Sequence, residues 1–281
     1  MRKISEIVSR DIGQPIVVEN VPGASGNIGT GQVARATPDG YTLVAINPTF
    51  SYVKYLFKQL PWAPGAEVLP VTTLLRTPDV VVVAGDSPYK TLRDLIDDAR
   101  ARPGQLSFGT GGVGSPPHLS GEAFAQAGGI TLTHMPYKGA AEVVMGILSG
   151  TVTLMVSGIP SFTSYLQSGA LRALAIASRD GQRSVVFPAI PTYREAGLPQ
   201  LDAPTSWTWT GLAVPHGTPQ ARIDFLQQAF ARAQQTPDYQ AYLLSQASLP
   251  GGIRPEALAA QAREEQQYWQ RVTERAGIEA Q

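Results

Sequence analysis

The chain has 281 residues, 43% of them hydrophobic and 16% charged, which is enough apolar side chain for one large domain or two modest ones. Its 22 basic residues cancel its 22 acidic ones, so the basic footprint that a nucleic-acid partner requires is missing. There is no cysteine, which excludes disulfides, thiolate-bound zinc and a thiol nucleophile, and three scattered histidines argue against a His-rich metal site.

The first elements alternate. Ile4, Ile7, Val8 and Ile12 recur at helical spacing and Gly13 follows as a C-cap, so the chain opens inside an amphipathic helix. Met1-Arg2-Lys3 is basic, but no apolar stretch of the signal-peptide kind follows it. Residues 15–19 read as a strand, 27–36 as a helix stopped by Pro38-Asp39-Gly40, and 41–46 as a second strand. Residues 80–83 are a β-branched run, the pattern of a strand buried on both faces. A helix over 91–102 starts at Thr91, with Asp94 three residues on, and ends at Pro103-Gly104.

The same rhythm continues with strands at 106–108, 130–134, 152–156 and 171–177. Helices fall at 117–127, 140–148 and 162–167. It predicts an α/β class with mostly parallel sheets and helices on both faces. A strand over 206–215 carries Trp207 and Trp209, two apart and so on one face. The pair reads either as core or as the apolar wall of a cleft. The last third is helical: 219–234, 237–246 and, after a Pro250-Gly251-Gly252 break, 255–276.

The sharpest motif is GTGGVGSPPH at 109–118, between a strand and a helix. Gly109, Gly111 and Gly114 match G-x-G-x-x-G, but the next strand ends at His134-Met135-Pro136 without the acid that would hold a ribose. A simpler reading is an anion site made by the glycine backbone and a helix N-terminus, with Ser115 and His118 as further donors. The alternative is a turn that only joins strand to helix. Three further turns are candidates. Residues 21–29 hold Ser25 or Asn27 as a helix cap and Gly29 for close packing. Asn47-Pro48-Thr49 and Ser157-Gly158 each follow a strand, where open α/β sheets bind ligands. No G-x-S-x-G elbow is present, which disfavours a hydrolase triad.

Taken together, these segments resemble one family. VVENVPGASGNIG at 17–29, PDGYTL at 38–43, GSPPHL at 114–119, HMPYKGA at 134–140, GALRALA at 169–175 and PTYREAG at 191–197 occur in its order. The chain is similar to the solute receptors of tripartite tricarboxylate transporters, the Bug-type periplasmic binding proteins. The resemblance implies a type II periplasmic-binding-protein fold: two α/β lobes, a ligand cleft between them, and a helical C-terminal segment packed on the first lobe. Residues 1–80 and 212–281 would form the first lobe and 81–211 the second.

It further implies a periplasmic, monomeric receptor for a small organic acid, delivered to a membrane permease, with no cofactor, no metal and no catalysis. Sensing for a signalling partner, or hydrolysis in the same cleft, are the other uses of such a scaffold. Motif matching assigns ligand contacts to Asn47 and Thr49 on the first lobe, and to Thr110, Gly111, Gly114, Ser115, His118, Ser157, Gly158 and Trp207 on the second. Two departures stand out. The family's secretion signal, first strand and first carboxylate-gripping loop precede the segment with which this chain begins. Where the family often has Asp, this chain has Ser157, which points to a ligand without a cationic group.

Overall fold

The amphipathic stripe at the start of the chain closes on an apolar face. The structure, a computed structural model, describes the chain except residues 22, 24, 25, 64, 65, 179, 254 and 279–281, and except the side chains of residues 204, 255, 256 and 259. It divides the chain into two compact units: Met1–Arg76 with Trp209–Arg271 and Gly277–Gln281, and Thr77–Thr208 with Val272–Ala276. The chain thus passes between units at 76/77 and 208/209, where the sequence placed 80/81 and 211/212.

In the first unit, helix α1 (Arg2–Ile12) buries Ile4, Ile7 and Val8 and ends at Gly13, whose φ of 68° is the left-handed cap expected there. These side chains pack with Leu74, Val214, Ile223, Phe230 and Tyr239. Helix α2 (Asn27–Ala34) starts after Gly26 at φ 91°; Ser25, one of the expected caps, lies outside the described residues. Strand β1 (Val44–Ile46), shorter than expected, leads to α3 (Thr49–Tyr52). Strand β2 (Val68–Ala84) runs for 17 residues and enters the second unit at Thr77. Its four valines 80–83 are fully buried, as their pattern predicted.

The second unit continues with α4 (Leu92–Ala101), β3 (Ser107–Thr110), α5 (Pro116–Gly128), β4 (Thr133–Pro136), α6 (Ala140–Leu148), β5 (Met155–Gly158), α7 (Thr163–Gln167) and β6 (Leu171–Ile176). The Thr91 hydroxyl accepts from the Asp94 N–H while the Asp94 carboxylate accepts from the Thr91 N–H, a complete capping box. The core here holds Val81, Leu95, Phe108, Phe124, Leu174 and Tyr193. Strand β7 (Trp207–Pro215) returns the chain to the first unit, followed by α8 (Gln220–Gln234), α9 (Pro237–Ser245), β8 (Leu249–Pro250) and α10 (Pro255–Ala276). Residues 255–271 of α10 belong to the first unit, and its last turn groups with the second.

Two expectations are corrected. Among the described residues the sheets are not mostly parallel: β1 pairs β7, and β2 pairs β5, β6 and β8, all antiparallel, while β3 and β4 pair in parallel and single parallel bridges join Phe108 to Leu154 and Ile176 to Thr192. Alternating strands and helices signal crossovers, but the alternation cannot show that β2 runs against its neighbours along both edges. The strand read at 15–19 is irregular. A strand needs a ladder partner, and this segment instead flanks an apolar groove of about 570 Å³, with Leu43, Ala45 and Leu212 across from it and Val17 79% exposed.

The Pro-Gly-Gly break is also more than a break. Gly251 N–H donates to the Leu74 carbonyl (3.1 Å) and Gly252 N–H to that of Thr73 (2.9 Å), which extends the β8 ladder along β2. A Cβ on Gly251 would sit 2.4 Å from the Thr73 carbonyl carbon and 2.7 Å from the Leu74 nitrogen. Backbone cannot swing away as a side chain does. Gly251→Ala is therefore expected to cost about 2–3 kcal/mol in urea denaturation, and a loss under 0.5 kcal/mol would show that β8 does not lie against β2.

Candidate functional site

The second unit gathers most of the predicted residues at one turn. Strand β3 ends at Thr110, fully buried, and the chain turns through Gly112 (φ 117°) and Gly114 (φ 74°) before Ser115 begins α5. Side chains other than glycine rarely adopt those angles, so the turn depends on both. The Ser115 hydroxyl donates to the Gly112 carbonyl at 2.7 Å, and the Gly112 N–H donates to the Thr110 hydroxyl at 3.3 Å. Thr110 Oγ1 also lies 2.6 Å from His134 Nε2 on β4, the neighbouring parallel strand.

His118 sits one turn into α5 and is 4% exposed. Its Nδ1 accepts from the Gly114 N–H at 3.1 Å, so the neutral ring carries its hydrogen on Nε2, 3.8 Å from the Glu122 carboxylate. The His118 and His134 rings stack at 3.8 Å, and Phe108 stacks against both. Burial pushes the His118 pKa down to about 4, and the neighbouring His134 adds to this; burial also lowers His134 and raises Glu122. Charge on one of two stacked imidazoles disfavours charge on the other. The site is therefore built from neutral donors at pH 7.

The helix N-terminus contributes less than the sequence suggested. Pro116 and Pro117 have no N–H, and those of His118 and Leu119 both turn back to the Ser115 carbonyl (2.9 and 3.3 Å). The N–H groups with no protein acceptor among the described residues are those of Gly111 and Val113, in the turn itself. An anion site here would be a turn of glycine amides and hydroxyls rather than a helix dipole.

Ser157 and Gly158 end β5 and lie opposite Val80 and Asp79 in the β2 register. Gly158 is packed so closely that a Cβ would meet the Thr77 hydroxyl at 2.9 Å. Asp79 is the residue the sequence reading missed. It is 2% exposed, and its carboxylate accepts from the Ser120 hydroxyl (2.6 Å) and the Thr208 hydroxyl (3.0 Å). Burial outweighs those bonds and pushes its pKa up to about 6. The available signal was slight: a single acid directly before the apolar run 80–83. Both of its oxygens are engaged within the unit, so it holds α5 and β7 rather than offering a free charge.

Trp207 packs in the core of the second unit, with Val81, Leu174 and Tyr193, and its buried indole N–H meets no acceptor among the described residues. Trp209 packs in a cluster of the first unit with Ile46, Trp62 and Leu258. Two rings expected on one face therefore belong to different cores. A groove of about 1240 Å³ in the second unit, between α4 and residues 183–198, is lined by none of the predicted residues.

In the first unit, Asn47 and Thr49 border a small polar recess of about 40 Å³ together with Asn27 and Thr30. Asn47 Oδ1 accepts from the Thr49 N–H (2.9 Å) and caps the start of α3, and Asn27 Oδ1 accepts from Trp62 Nε1 (3.0 Å). Among the described residues no charged side chain borders the recess. Among the described residues no group of three or more His, Asp or Glu could hold a metal, and no helix is long and apolar enough to cross a membrane.

The family model described as "Tripartite tricarboxylate transporter family receptor" matches residues 1–278. The protein BugT of Bordetella pertussis is 31% identical over 278 residues, covering 98% of this chain and 84% of that protein. Among solved structures, an R. palustris protein with adipate is 30% identical at a TM-score of 0.91, covering 100% of this chain and 92% of that one. MatC from Rhodopseudomonas palustris, with bound malate, is 30% identical at a TM-score of 0.84, with coverages of 96% and 92%. The fold is that of the periplasmic binding proteins.

Proposed function

This chain belongs to the tripartite tricarboxylate transporter receptor family, and from that premise we propose that it is an extracytoplasmic, monomeric receptor which binds a small organic acid and delivers it to a membrane permease. The observation that carries the reading is the neutral, donor-rich turn from Thr110 to His118, with the open N–H groups of Gly111 and Val113 beside the hydroxyls of Thr110 and Ser115. Neutral donors bind a carboxylate without burying an opposing charge, which would cost more desolvation. In the first unit Asn47 and Thr49 are the proposed contacts, and in the second Gly114, Ser157, Gly158 and Trp207 are proposed alongside the turn. The adipate and malate in two similar structures support a dicarboxylate. Ser157 carries no charge, and the Asp79 carboxylate already accepts from Ser120 and Thr208, which disfavours a cationic ligand group at this position.

Calorimetric titration with adipate and with malate tests this. We expect saturable binding at one ligand per chain, and added stability of about 2.7 kcal/mol at a ligand concentration 100 times Kd. The ligand should be recovered unchanged by NMR after prolonged incubation, as a receptor and not an enzyme requires. His118→Ala should weaken binding at least tenfold, about 1.4 kcal/mol, because the Gly114 N–H loses its acceptor and the turn its anchor. If no member of a broad carboxylate set binds or raises Tm, the reading fails.

A further inference from the structure

We infer that Glu265, on the C-terminal helix, is a positioning residue for the first unit's ligand contacts; this rests on the receptor reading above. Glu265 is 3% exposed and 216 residues away in sequence from Thr49. Its Oε2 accepts from the Ser51 hydroxyl on α3 at 3.1 Å. Its Oε1 accepts from Trp209 Nε1 at 2.9 Å and from Gln261 Nε2 at 2.6 Å. Next to it on α10, the Gln266 side chain donates to the Ser51 carbonyl (3.3 Å), and Trp269 packs against the Tyr52 ring at 5.7 Å. The Tyr52 hydroxyl in turn lies 3.3 Å from Thr49 Oγ1. One face of α10 thus holds the four-residue helix that begins at Thr49 and follows Asn47.

A helix of four residues cannot hold itself in water. Its place must come from what it touches, and its side chain and backbone contacts with α10 run through Ser51 and Tyr52. The same carboxylate fixes Trp209, the residue at which β7 enters this unit, and lies within electrostatic range of Arg76, at which β2 leaves it. A buried carboxylate carries a desolvation cost, and burial raises the Glu265 pKa. Two N–H donors converge on Oε1, which must be an acceptor, while the Ser51 hydroxyl at Oε2 can donate or accept. A structural pin could be apolar; a group that joins α3 to the start of β7 needs polar atoms at both positions.

Three variants test the assignment: Glu265→Ala, Glu265→Gln and Ser51→Ala. Hydrogen exchange at residues 49–55 of the ligand-free protein reads the position of α3 directly. Exchange should quicken at least tenfold in Glu265→Ala and in Ser51→Ala. With adipate as probe, Kd should rise at least tenfold in Glu265→Ala and about threefold to tenfold in Ser51→Ala. Glu265→Gln keeps the Oε1 acceptor and should return Kd to within about threefold of the parent. A merely structural role predicts lower Tm with Kd unchanged within twofold, and that result overturns the inference. Unchanged exchange at 49–55 in Ser51→Ala overturns it too, even where Glu265→Ala does not fold. Absence of adipate binding by the parent protein counts against the receptor reading; the exchange measurement still decides the role of Glu265.

Discussion

Asp79→Asn is expected to stabilise the protein at pH 8 by roughly 3 kcal/mol, and the gain should fade to nothing below about pH 4. The carboxyl is fully buried on β2 and its pKa is pushed up from 3.8 to about 6 by desolvation, with the Ser120 and Thr208 hydroxyls pulling the other way. A shift of about two units corresponds to roughly 3 kcal/mol between the two protonation states. The sign follows from linkage. A group whose folded pKa is raised contributes stability that is full below its unfolded pKa of 3.8 and is lost as pH rises through about 6. Above that pH the folded chain holds a buried charge, which Asn removes while keeping a carbonyl for one hydroxyl and an amide for the other. Urea denaturation of both proteins at pH 4, 6 and 8 reads this directly. Equal stability at pH 8 would mean that Asp79 is hydrated or paired with a cation in solution.

Trp209→Ala is expected to destabilise the first unit by about 3–5 kcal/mol. The ring is fully buried among Ile46, Trp62, Val68 and Leu258, so truncation opens a cavity that strand β7 cannot collapse to fill. It also removes one of three donors to a carboxylate that is 3% exposed. Trp209→Phe keeps most of the volume but loses the N–H along with part of the indole, and should cost about 1–2 kcal/mol. Should Trp209→Phe cost as much as Trp209→Ala, the phenyl-sized part of the ring would contribute nothing, and the cavity argument would fail.

The sequence by itself settled what depends on neighbours in the chain. The helix α1 with its Gly13 cap, the capping box at Thr91 and the buried run at 80–83 are local patterns, and each formed as read. The family was legible because its motifs recur in order from one end to the other, and the turn at 109–118 was visible because glycine at φ 117° and 74° has few substitutes.

Only the tertiary structure decided the rest. Strand direction is set by which edges meet, so an alternation of strands and helices could not reveal that β2 has antiparallel neighbours on both edges. Residues 15–19 have strand chemistry but no ladder, and chemistry without a partner makes no strand. Prolines 116 and 117 were plain in the sequence, but the return of the next two N–H groups to Ser115 was not, and it moved the open donors into the turn. Asp79 and Glu265 are unremarkable in sequence. Their burial and hydroxyl partners come from Ser120 and Thr208, and from Ser51 and Trp209, at separations of 41 to 214 residues. No local pattern carries that information, because a buried charge is defined by what surrounds it.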